Sequence, residues 1–100
     1  MDKYEVRLFP QVYQELDEIY YYITFQLTAE GAAKNLIDKL EEAILNLSTF
    51  PQRGAERRKG AYSGAGYRQI FVKNFTIVYR IDEEKHQVLI VTVRYTPRQQ

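Results

Sequence analysis

The spacing of apolar side chains changes along the chain and divides it into strand-like and helix-like parts. Residues 4–9 alternate between polar and apolar side chains, which is typical of a half-buried strand. Apolar side chains then recur every three or four residues in two stretches, which predicts two amphipathic helices. The first stripe comprises Val12, Leu16, Ile19, Ile23 and Leu27, and the second comprises Ala33, Leu36, Leu40, Ile44 and Leu47.

The residues at the ends of these stretches predict where the helices begin and end. Pro10 suits the first turn of a helix, where no backbone N–H is needed. Thr28 is a suitable N-cap for the second helix, and Pro51 is expected to end it. The short connection at residues 27–30 makes the two helices an antiparallel hairpin.

The second half of the chain returns to period two. Residues 52–66 hold four of the five glycines and four basic residues without periodicity, and we interpret them as a loop. Three strands are predicted at residues 67–73, 75–81 and 87–95, with turns at Asn74 and at residues 82–86. The order β-α-α-β-β-β predicts an α+β fold in one domain, residues 1–100, with an N-terminal strand and a helical hairpin packed on one face of an antiparallel sheet. The position of the first strand in that sheet stays open.

Strict alternation sorts the sheet residues into two faces. The face predicted to lie under the helices carries Tyr67, Phe71, Phe75, Ile77, Tyr79, Ile81, Leu89, Val91 and Val93. The opposite face carries Arg68, Ile70, Val72, Thr76, Val78, Arg80, Ile90, Thr92 and Arg94. The first set is strongly apolar, whereas the second mixes β-branched residues with three arginines. We therefore expect the second face to meet a partner.

Composition and charge narrow the class of protein. The chain has no cysteine, so thiolate chemistry and disulfides are excluded. No run of apolar residues reaches the length of a membrane span, and no signal peptide is visible, so we expect a cytoplasmic protein. The net charge of +1 is the sum of two unlike halves. The half up to Gln52 has four basic and nine acidic residues, and the half from Arg53 has ten basic and four acidic residues. A basic half of this kind attracts nucleic acid or an acidic protein.

Local motifs spaced along the chain resemble those of the RelE/ParE toxin family. The resemblance is carried by Tyr67-Arg68, the turn at Asn74, Val78-Tyr79-Arg80-Ile81, the acidic residues 82–84 and Val93-Arg94-Tyr95, together with residues 16–23, 40–44 and 50–54. The order and spacing of these motifs carry the resemblance, which spans nearly the whole chain. It implies a type II toxin–antitoxin toxin that is neutralised by a cognate antitoxin protein. It leaves two activities open, because ParE-like members poison DNA gyrase and RelE-like members cleave messenger RNA in the ribosome.

Two positions argue against the ribonuclease activity. Metal-independent RNA cleavage requires cationic groups near the phosphate and groups that move protons. Where RelE-like toxins carry an arginine after the turn, this chain has Thr76, and its tail of residues 96–100 offers Pro97 where further catalytic groups are expected. The catalytic candidates that remain for a nuclease are Arg68, Arg80, Arg94 and Tyr95.

The other polar residues add no catalytic site. His86 is the single histidine and is predicted to be a solvated turn residue, so we expect neither a metal site nor any other cofactor. The glycines of the loop lack the lysine and hydroxyl residue that follow in a phosphate-binding loop. No membrane contact or small-molecule ligand is expected.

These observations lead us to expect a ParE-like, non-enzymatic toxin whose protein target is gyrase or a similar enzyme. Two alternatives stay open: a ribosome-dependent mRNA endoribonuclease, and a family member that binds its antitoxin without toxicity. For partner binding, the candidate residues are Arg68, Ile70, Val78, Arg80, Ile90, Arg94 and Arg98. In this interpretation the isoleucines and valine supply the apolar contact, and the arginines orient an acidic antitoxin segment.

Overall fold

A computed structural model describes residues 3–60 and 62–97 of the chain. It contains a single five-stranded sheet and two α-helices in these residues. The elements, in chain order, are β1 Glu5–Leu8, α1 Pro10–Tyr21, a π-helical segment Tyr22–Gln26, α2 Glu30–Asn46, a 3₁₀ turn Pro51–Arg53, β2 Ala55–Glu56, β3 Arg68–Val72, β4 Phe75–Asp82 and β5 Gln87–Tyr95. The predicted α+β class and element order are confirmed.

The sheet has the strand order β1-β5-β4-β3-β2. Strands β3, β4 and β5 form the predicted antiparallel meander, and the open question of the first strand is answered, since β1 pairs with β5 in parallel at the edge. Both helices contribute buried apolar residues to one core against a single face of the sheet. The core cluster consists of Val12, Leu16, Leu36, Leu40, Ile44, Leu47, Ile77, Tyr79, Val88, Ile90 and Val93.

Helix α1 takes over the edge of β5 where β1 ends. β1 pairs only with residues 87–90, so the C-terminal half of β5 extends beyond it. There the side-chain amide of Gln11 donates to the Val91 carbonyl at 2.6 Å, and a carboxylate oxygen of Glu15 accepts from the Val93 N–H at 2.9 Å. One helical turn separates Gln11 from Glu15, which matches the spacing of two residues along a strand. Two side chains thus replace a missing strand.

The helix boundaries confirm that Pro10 lies in the first turn of a helix. They correct the predictions that Thr28 caps the second helix and that Pro51 ends it. Pro10 occupies the first turn of α1. Thr28 is not the N-cap of α2, because its hydroxyl bonds to the Leu27 carbonyl and its φ is +47°, so the helix starts after Ala29, which supplies no side-chain cap. Helix α2 ends at Asn46 rather than next to Pro51. The N–H groups of Leu47 and Ser48 bond three residues back, which tightens and ends the helix.

The face assignment from strict alternation is wrong for β3, because the turn to β4 contains two residues instead of one. Val72 pairs with Phe75, Ile70 with Ile77 and Arg68 with Tyr79. Directly paired residues share a face of the sheet. Ile70 and Val72 therefore pack on the core, whereas Phe71, predicted to lie under the helices, is 58% exposed. A slip of one residue moves every side chain of a strand to the other face.

The face assignment is also wrong for the first half of β5, because this strand contains a β-bulge. Tyr79 pairs with Ile90 and Val78 pairs with Thr92, which leaves Val91 as an extra residue between them. Val88 and Ile90 consequently face the helices, together with Ile77, Tyr79 and Val93. Leu89, predicted for the core, lies on the opposite face beside Arg80. The predictions for Ile77, Tyr79 and Val93 are confirmed.

The interpretation of residues 52–66 as a loop is correct except at its start. Ala55 and Glu56 pair with Gln69 and Arg68 and form the second edge of the sheet. The segment is anchored by Tyr79, whose hydroxyl donates to the Pro51 carbonyl at 2.6 Å and accepts from the Gly54 N–H at 2.9 Å. In the described residues, no helix is long and apolar enough to cross a membrane.

Candidate functional site: the outer face of the sheet

The face of the sheet opposite the helices, called here the outer face, follows directly from the strand register. Its three cross-strand rows are Phe71–Thr76–Arg94, Gln69–Val78–Thr92, and Arg80–Leu89–Arg7. The first and third rows carry three arginines, all exposed, and the row between them is largely buried. Both helices pack on the other face, and the register places Arg7, Arg80 and Arg94 together on the outer face.

Two tyrosines from the loop link two of these arginines. The Arg80 guanidinium lies 5.7 Å from the centre of the Tyr67 ring, and the Arg94 guanidinium lies 5.4 Å from the centre of the Tyr62 ring. The two rings contact each other edge to face at 5.6 Å. Each contact is within the range of a cation–π interaction, which leaves the N–H edges of the guanidinium available to an anion.

Backbone hydrogen bonds close the loop that carries these tyrosines. The Arg57 N–H donates to the Tyr67 carbonyl, the Gly64 N–H donates to the Arg57 carbonyl, and the Tyr67 N–H donates to the Gly64 carbonyl, at 2.8–3.0 Å. Gly64 and Gly66 adopt positive φ, which the reversal of the chain here requires. The side chain of Arg57 also donates to Gln69 at 2.7 Å, which ties the loop to the outer face.

Thr76 lies in the centre of this face but is not available to a ligand. It is only 2% exposed, and its buried hydroxyl has no hydrogen-bond partner among the described residues. The neighbouring Thr92 hydroxyl, by contrast, donates to Glu15 at 2.6 Å. A buried neutral hydroxyl cannot supply the positive charge that a cleaved phosphate needs.

The structure separates the four residues that the sequence proposes for a nuclease. Arg80 and Arg94 lie on the outer face, whereas Arg68 pairs with Tyr79 on the helix side and donates to the Gly54 carbonyl at 2.7 Å. Tyr95 pairs with Phe75, also on the helix side, and their rings are 5.5 Å apart. Only two of the four groups therefore share a face of the sheet.

The apolar residues proposed for partner binding are not on the surface. Ile90 and Val78 are fully buried, Ile90 within the core, and Ile70 is half-buried against the core. Arg80 and Arg94 are exposed, and Arg98 lies outside the described residues. His86, predicted to be solvated, instead stacks on the Tyr4 ring at 3.8 Å and is half-buried.

Exposed apolar surface occurs at the tip of the helical hairpin, which sequence reasoning did not single out. A groove of about 500 Å³, called here the hairpin groove, is lined by Glu18, Ile19, Tyr22, Ile23, Leu27, Phe75 and Tyr95. An adjoining groove of about 430 Å³ shares four of these residues and continues to Lys39 and Lys73. The π-helical segment creates the groove, because its extra residue per turn shifts the stripe and leaves Tyr22 and Leu27 exposed.

The sequence analysis did not identify Leu27, Tyr62 or Tyr67 as site residues, and the reason differs between Leu27 and the two tyrosines. Leu27 belongs to the predicted stripe of the first helix, and only the change to π-helical geometry exposes it. Tyr62 and Tyr67 stand in a glycine-rich segment without periodicity, so no pattern relates them to the arginines of the strands. The sequence indicates such aromatic–arginine contacts only through its many tyrosines and its basic second half.

Solved structures with the same fold are toxins of toxin–antitoxin pairs. The chain superposes on the toxin–antitoxin complex RelBE2 from Mycobacterium tuberculosis with a TM-score of 0.71 and 19% identity, covering 98% of this chain and 97% of the other. It superposes on the chromosomal ParDE system of P. aeruginosa with a TM-score of 0.74 and 16% identity, covering 94% of this chain and 97% of the other. On the isolated E. coli RelE toxin it superposes with a TM-score of 0.68 and 14% identity, covering 97% of this chain and 88% of the other. No curated protein sequence matches the chain.

The fold is therefore that of the RelE/ParE class of toxins. The sequence model described as the ParE toxin of the type II toxin–antitoxin system parDE matches residues 6–99. The chain belongs to this family, and the resemblance found in the sequence is confirmed. It is the toxin component of a type II toxin–antitoxin system.

Proposed function

We propose that the protein arrests growth by binding a protein target, such as DNA gyrase, and that it performs no chemistry itself. The observation that carries this proposal is the register of β3, β4 and β5. It places Arg68 and Tyr95 on the helix side and Arg80 and Arg94 on the outer face, so the groups of a nuclease site do not converge. Thr76, at the position where a cation is needed, is buried.

The loss of rate expected from the missing catalytic groups supports a non-enzymatic protein. Removing a single stabilising donor from a transition state commonly costs about 10²–10³ in rate. Groups that act as a unit fail together, so a site that lacks two of its four members retains little activity. A protein that acts by occupying another protein needs only a complementary surface, which this chain offers on two sides.

The cognate antitoxin is the second partner, and the hairpin groove is the surface that suits it. Binding of an apolar segment requires exposed apolar area, and Ile70, Val78 and Ile90 do not provide it. Leu27 and Tyr95 in the groove are more than half exposed. The continuation of the groove ends at Lys39 and Lys73, which complement acidic residues of a bound segment. We place the apolar contact of the antitoxin here.

Two purified assays test the proposed target. Added to gyrase, the chain inhibits supercoiling or traps the enzyme on DNA, and added to programmed ribosomes it leaves the message intact. Codon-position cleavage that disappears in Arg94→Ala or Tyr95→Phe would instead establish the ribonuclease. A chain that binds its antitoxin but affects neither gyrase nor ribosomes would be the non-toxic family member.

A substitution pair tests the antitoxin surface. Leu27→Glu places a charge in the hairpin groove and is expected to weaken antitoxin binding at least tenfold in calorimetry, because an unpaired charge must be desolvated. Leu45→Glu is the matched control, since Leu45 is also more than half exposed but lies on α2 outside the groove. Equal affinity of both variants would remove the groove from the interface.

The ribonuclease remains the second candidate because of one feature of the outer face. Arg80 and Arg94 lie over the rings of Tyr67 and Tyr62, which brings two cations and two phenols together. Phenols transfer protons in some active sites, and arginine stabilises phosphoryl charge. If messages are cleaved, Tyr62→Phe and Tyr67→Phe identify whether either phenol takes part.

A further inference from the structure

The helical hairpin has a crevice of its own between α1 and α2. On α1, Tyr13, Asp17 and Tyr20 are four and three residues apart, a spacing that places them on one face of the helix. On α2, Ile37 and Glu41 are one turn apart and share a face in the same way. The two faces meet in a space of about 230 Å³, called here the interhelix crevice, which is lined by Tyr13, Leu16, Asp17, Tyr20, Ile37 and Glu41.

The interhelix crevice combines apolar, aromatic and acidic surfaces. Leu16 is buried and Ile37 is half-buried, so they offer apolar contact at the base of the crevice. The Tyr13 ring is 60% exposed, and the carboxylates of Asp17 and Glu41 are exposed as well. The volume lies below the range of about 300–1,000 Å³ that holds drug-sized ligands, so the crevice suits a single side chain.

The negative charge of the interhelix crevice is not compensated by the chain. Within residues 3–60 and 62–97, neither Asp17 nor Glu41 has a hydrogen bond or an ion pair. Helix α1 has no basic residue, and the two lysines of α2, Lys34 and Lys39, do not line the crevice. Residues 10–46 carry seven acidic and two basic residues. Carboxylates on two neighbouring helices repel each other, so a cation between them is stabilised by both.

We propose that the interhelix crevice receives an arginine side chain of the protein target, and that the helical hairpin is the surface by which the chain binds that target. A guanidinium stacks on tyrosine rings and pairs with carboxylates, while its aliphatic stem packs on apolar side chains. Tyrosine and arginine are also the residues most enriched among those that dominate binding at protein interfaces. This inference rests on the proposed function, because it names the surface and the chemistry by which the target is bound.

Other occupants suit the crevice less well. A divalent metal ion takes more oxygen ligands than two carboxylates supply, and it has no use for the tyrosine rings. A second copy of the chain would have to present Arg80 or Arg94, but both guanidiniums already lie over tyrosine rings of their own chain. Such a contact would also join two different surfaces, which builds open filaments unless the rotation closes a ring.

N-acetyl-arginine methylamide tests the arginine site directly on the purified chain, with the uncharged citrulline analogue as its control. A ligand of this size binds in the millimolar range, so it is added up to ~20 mM. It should shift the amide NMR signals of Tyr20 and Ile37, and the citrulline analogue should not. Asp17→Asn combined with Glu41→Gln should abolish the shifts. Tyr13→Ala should weaken binding roughly 2- to 5-fold, the value of one exposed cation–π contact, whereas Tyr13→Phe retains the ring.

Inhibition of purified gyrase and growth arrest after induction without antitoxin connect the crevice to the target. The double variant Asp17→Asn, Glu41→Gln should require at least tenfold more protein for the same inhibition, since loss of a dominant interface contact costs about this factor or more. Asp38→Asn combined with Glu42→Gln is the matched control, because it removes two exposed carboxylates from α2 outside the crevice. Circular dichroism checks that both double variants are folded, which is expected because all four side chains are exposed.

Three results would overturn the inference. If the arginine compound shifts no crevice signal, or shifts the same signals as the citrulline analogue, the crevice does not bind a guanidinium. If the double variant of the crevice inhibits gyrase and growth as strongly as the unaltered chain, the target binds elsewhere and the proposed function stands. If light scattering shows self-association that only the crevice variant abolishes, the occupant is a second copy. An unaltered chain that affects neither gyrase nor growth overturns the proposed function itself, and the assignment of the crevice to a target with it.

Discussion

The Tyr79 hydroxyl accepts a hydrogen bond from the Gly54 N–H at 2.9 Å and donates one to the Pro51 carbonyl at 2.6 Å. Tyr79 is a core residue of β4, whereas Gly54 and Pro51 belong to the segment that leads from α2 into the sheet. One side chain therefore fixes where the chain passes from the helical layer to the edge strand β2. The arrangement satisfies two backbone groups that β2, only two residues long, leaves unpaired.

Tyr79→Phe should lower the free energy of unfolding by about 1–3 kcal/mol, because a buried N–H and a buried carbonyl lose their partners while the ring stays in place. Urea denaturation at pH 7 measures the change. Tyr13→Phe, which alters an exposed phenol, is the control and should have almost no effect. Equal stability of the two variants would mean that water replaces the hydroxyl.

The same phenol predicts a loss of stability at alkaline pH. Burial raises the pKa of Tyr79 above its usual value of 10.0, opposed by the Gly54 hydrogen bond and the positive charges of Arg68 and Arg53. Because the folded state holds this proton more tightly, the contribution is complete below about pH 10 and is lost as pH rises through the folded pKa. The stability difference between the unaltered chain and Tyr79→Phe should therefore shrink from pH 9 to pH 11. A constant difference would contradict the raised pKa.

Gly54→Ala should be strongly destabilising. A Cβ at this position would lie 2.5 Å from the Tyr79 hydroxyl and 2.7 Å from the Gln69 carbonyl oxygen, so backbone must move. Overpacking of this kind costs about 1–3 kcal/mol or more. Gly31→Ala is the matched control, since nothing lies within 4 Å of the added methyl group and alanine favours the helix. A thermal melt of both variants makes the comparison.

Glu15→Ala should destabilise the chain by about 1–3 kcal/mol, because the Thr92 hydroxyl and the Val93 N–H both lose their acceptor. Glu18→Ala removes a neighbouring exposed carboxylate and should change little. Hydrogen exchange of the Val93 amide is the direct measurement, and it should accelerate in Glu15→Ala alone. Unchanged protection would show that the helix shields this edge without the carboxylate.

The corrected sheet faces are tested by a pair of truncations. Ile77→Ala should cost about 2–5 kcal/mol, since Ile77 is fully buried in the core. Phe71→Ala removes a larger side chain but should cost less than about 1 kcal/mol, because its ring is mostly exposed. Strict alternation would predict comparable losses for both, so chemical denaturation of the two variants decides between the registers.

The sequence alone predicted the α+β class, the order of the elements, the helix stripes from Val12 to Ile23 and from Ala33 to Leu47, and the family. These features depend on local periodicity and on motifs that are read along the chain. It also identified Arg80 and Arg94 as residues of an outer face, because β4 and the end of β5 follow simple alternation.

Tertiary structure alone decided which residues share that face with them. The two-residue turn before Phe75 and the bulge at Val91 each shift the pairing, and neither has a pattern that period-two alternation detects. The tyrosines over the arginines come from a loop without periodicity, and their place over the guanidiniums depends on contacts between that loop and the sheet. The groove at Leu27 arises from a π-helical segment that an α-helical period cannot express. Pairing and packing between distant segments select among locally equivalent registers, and that selection is made only when the chain is folded.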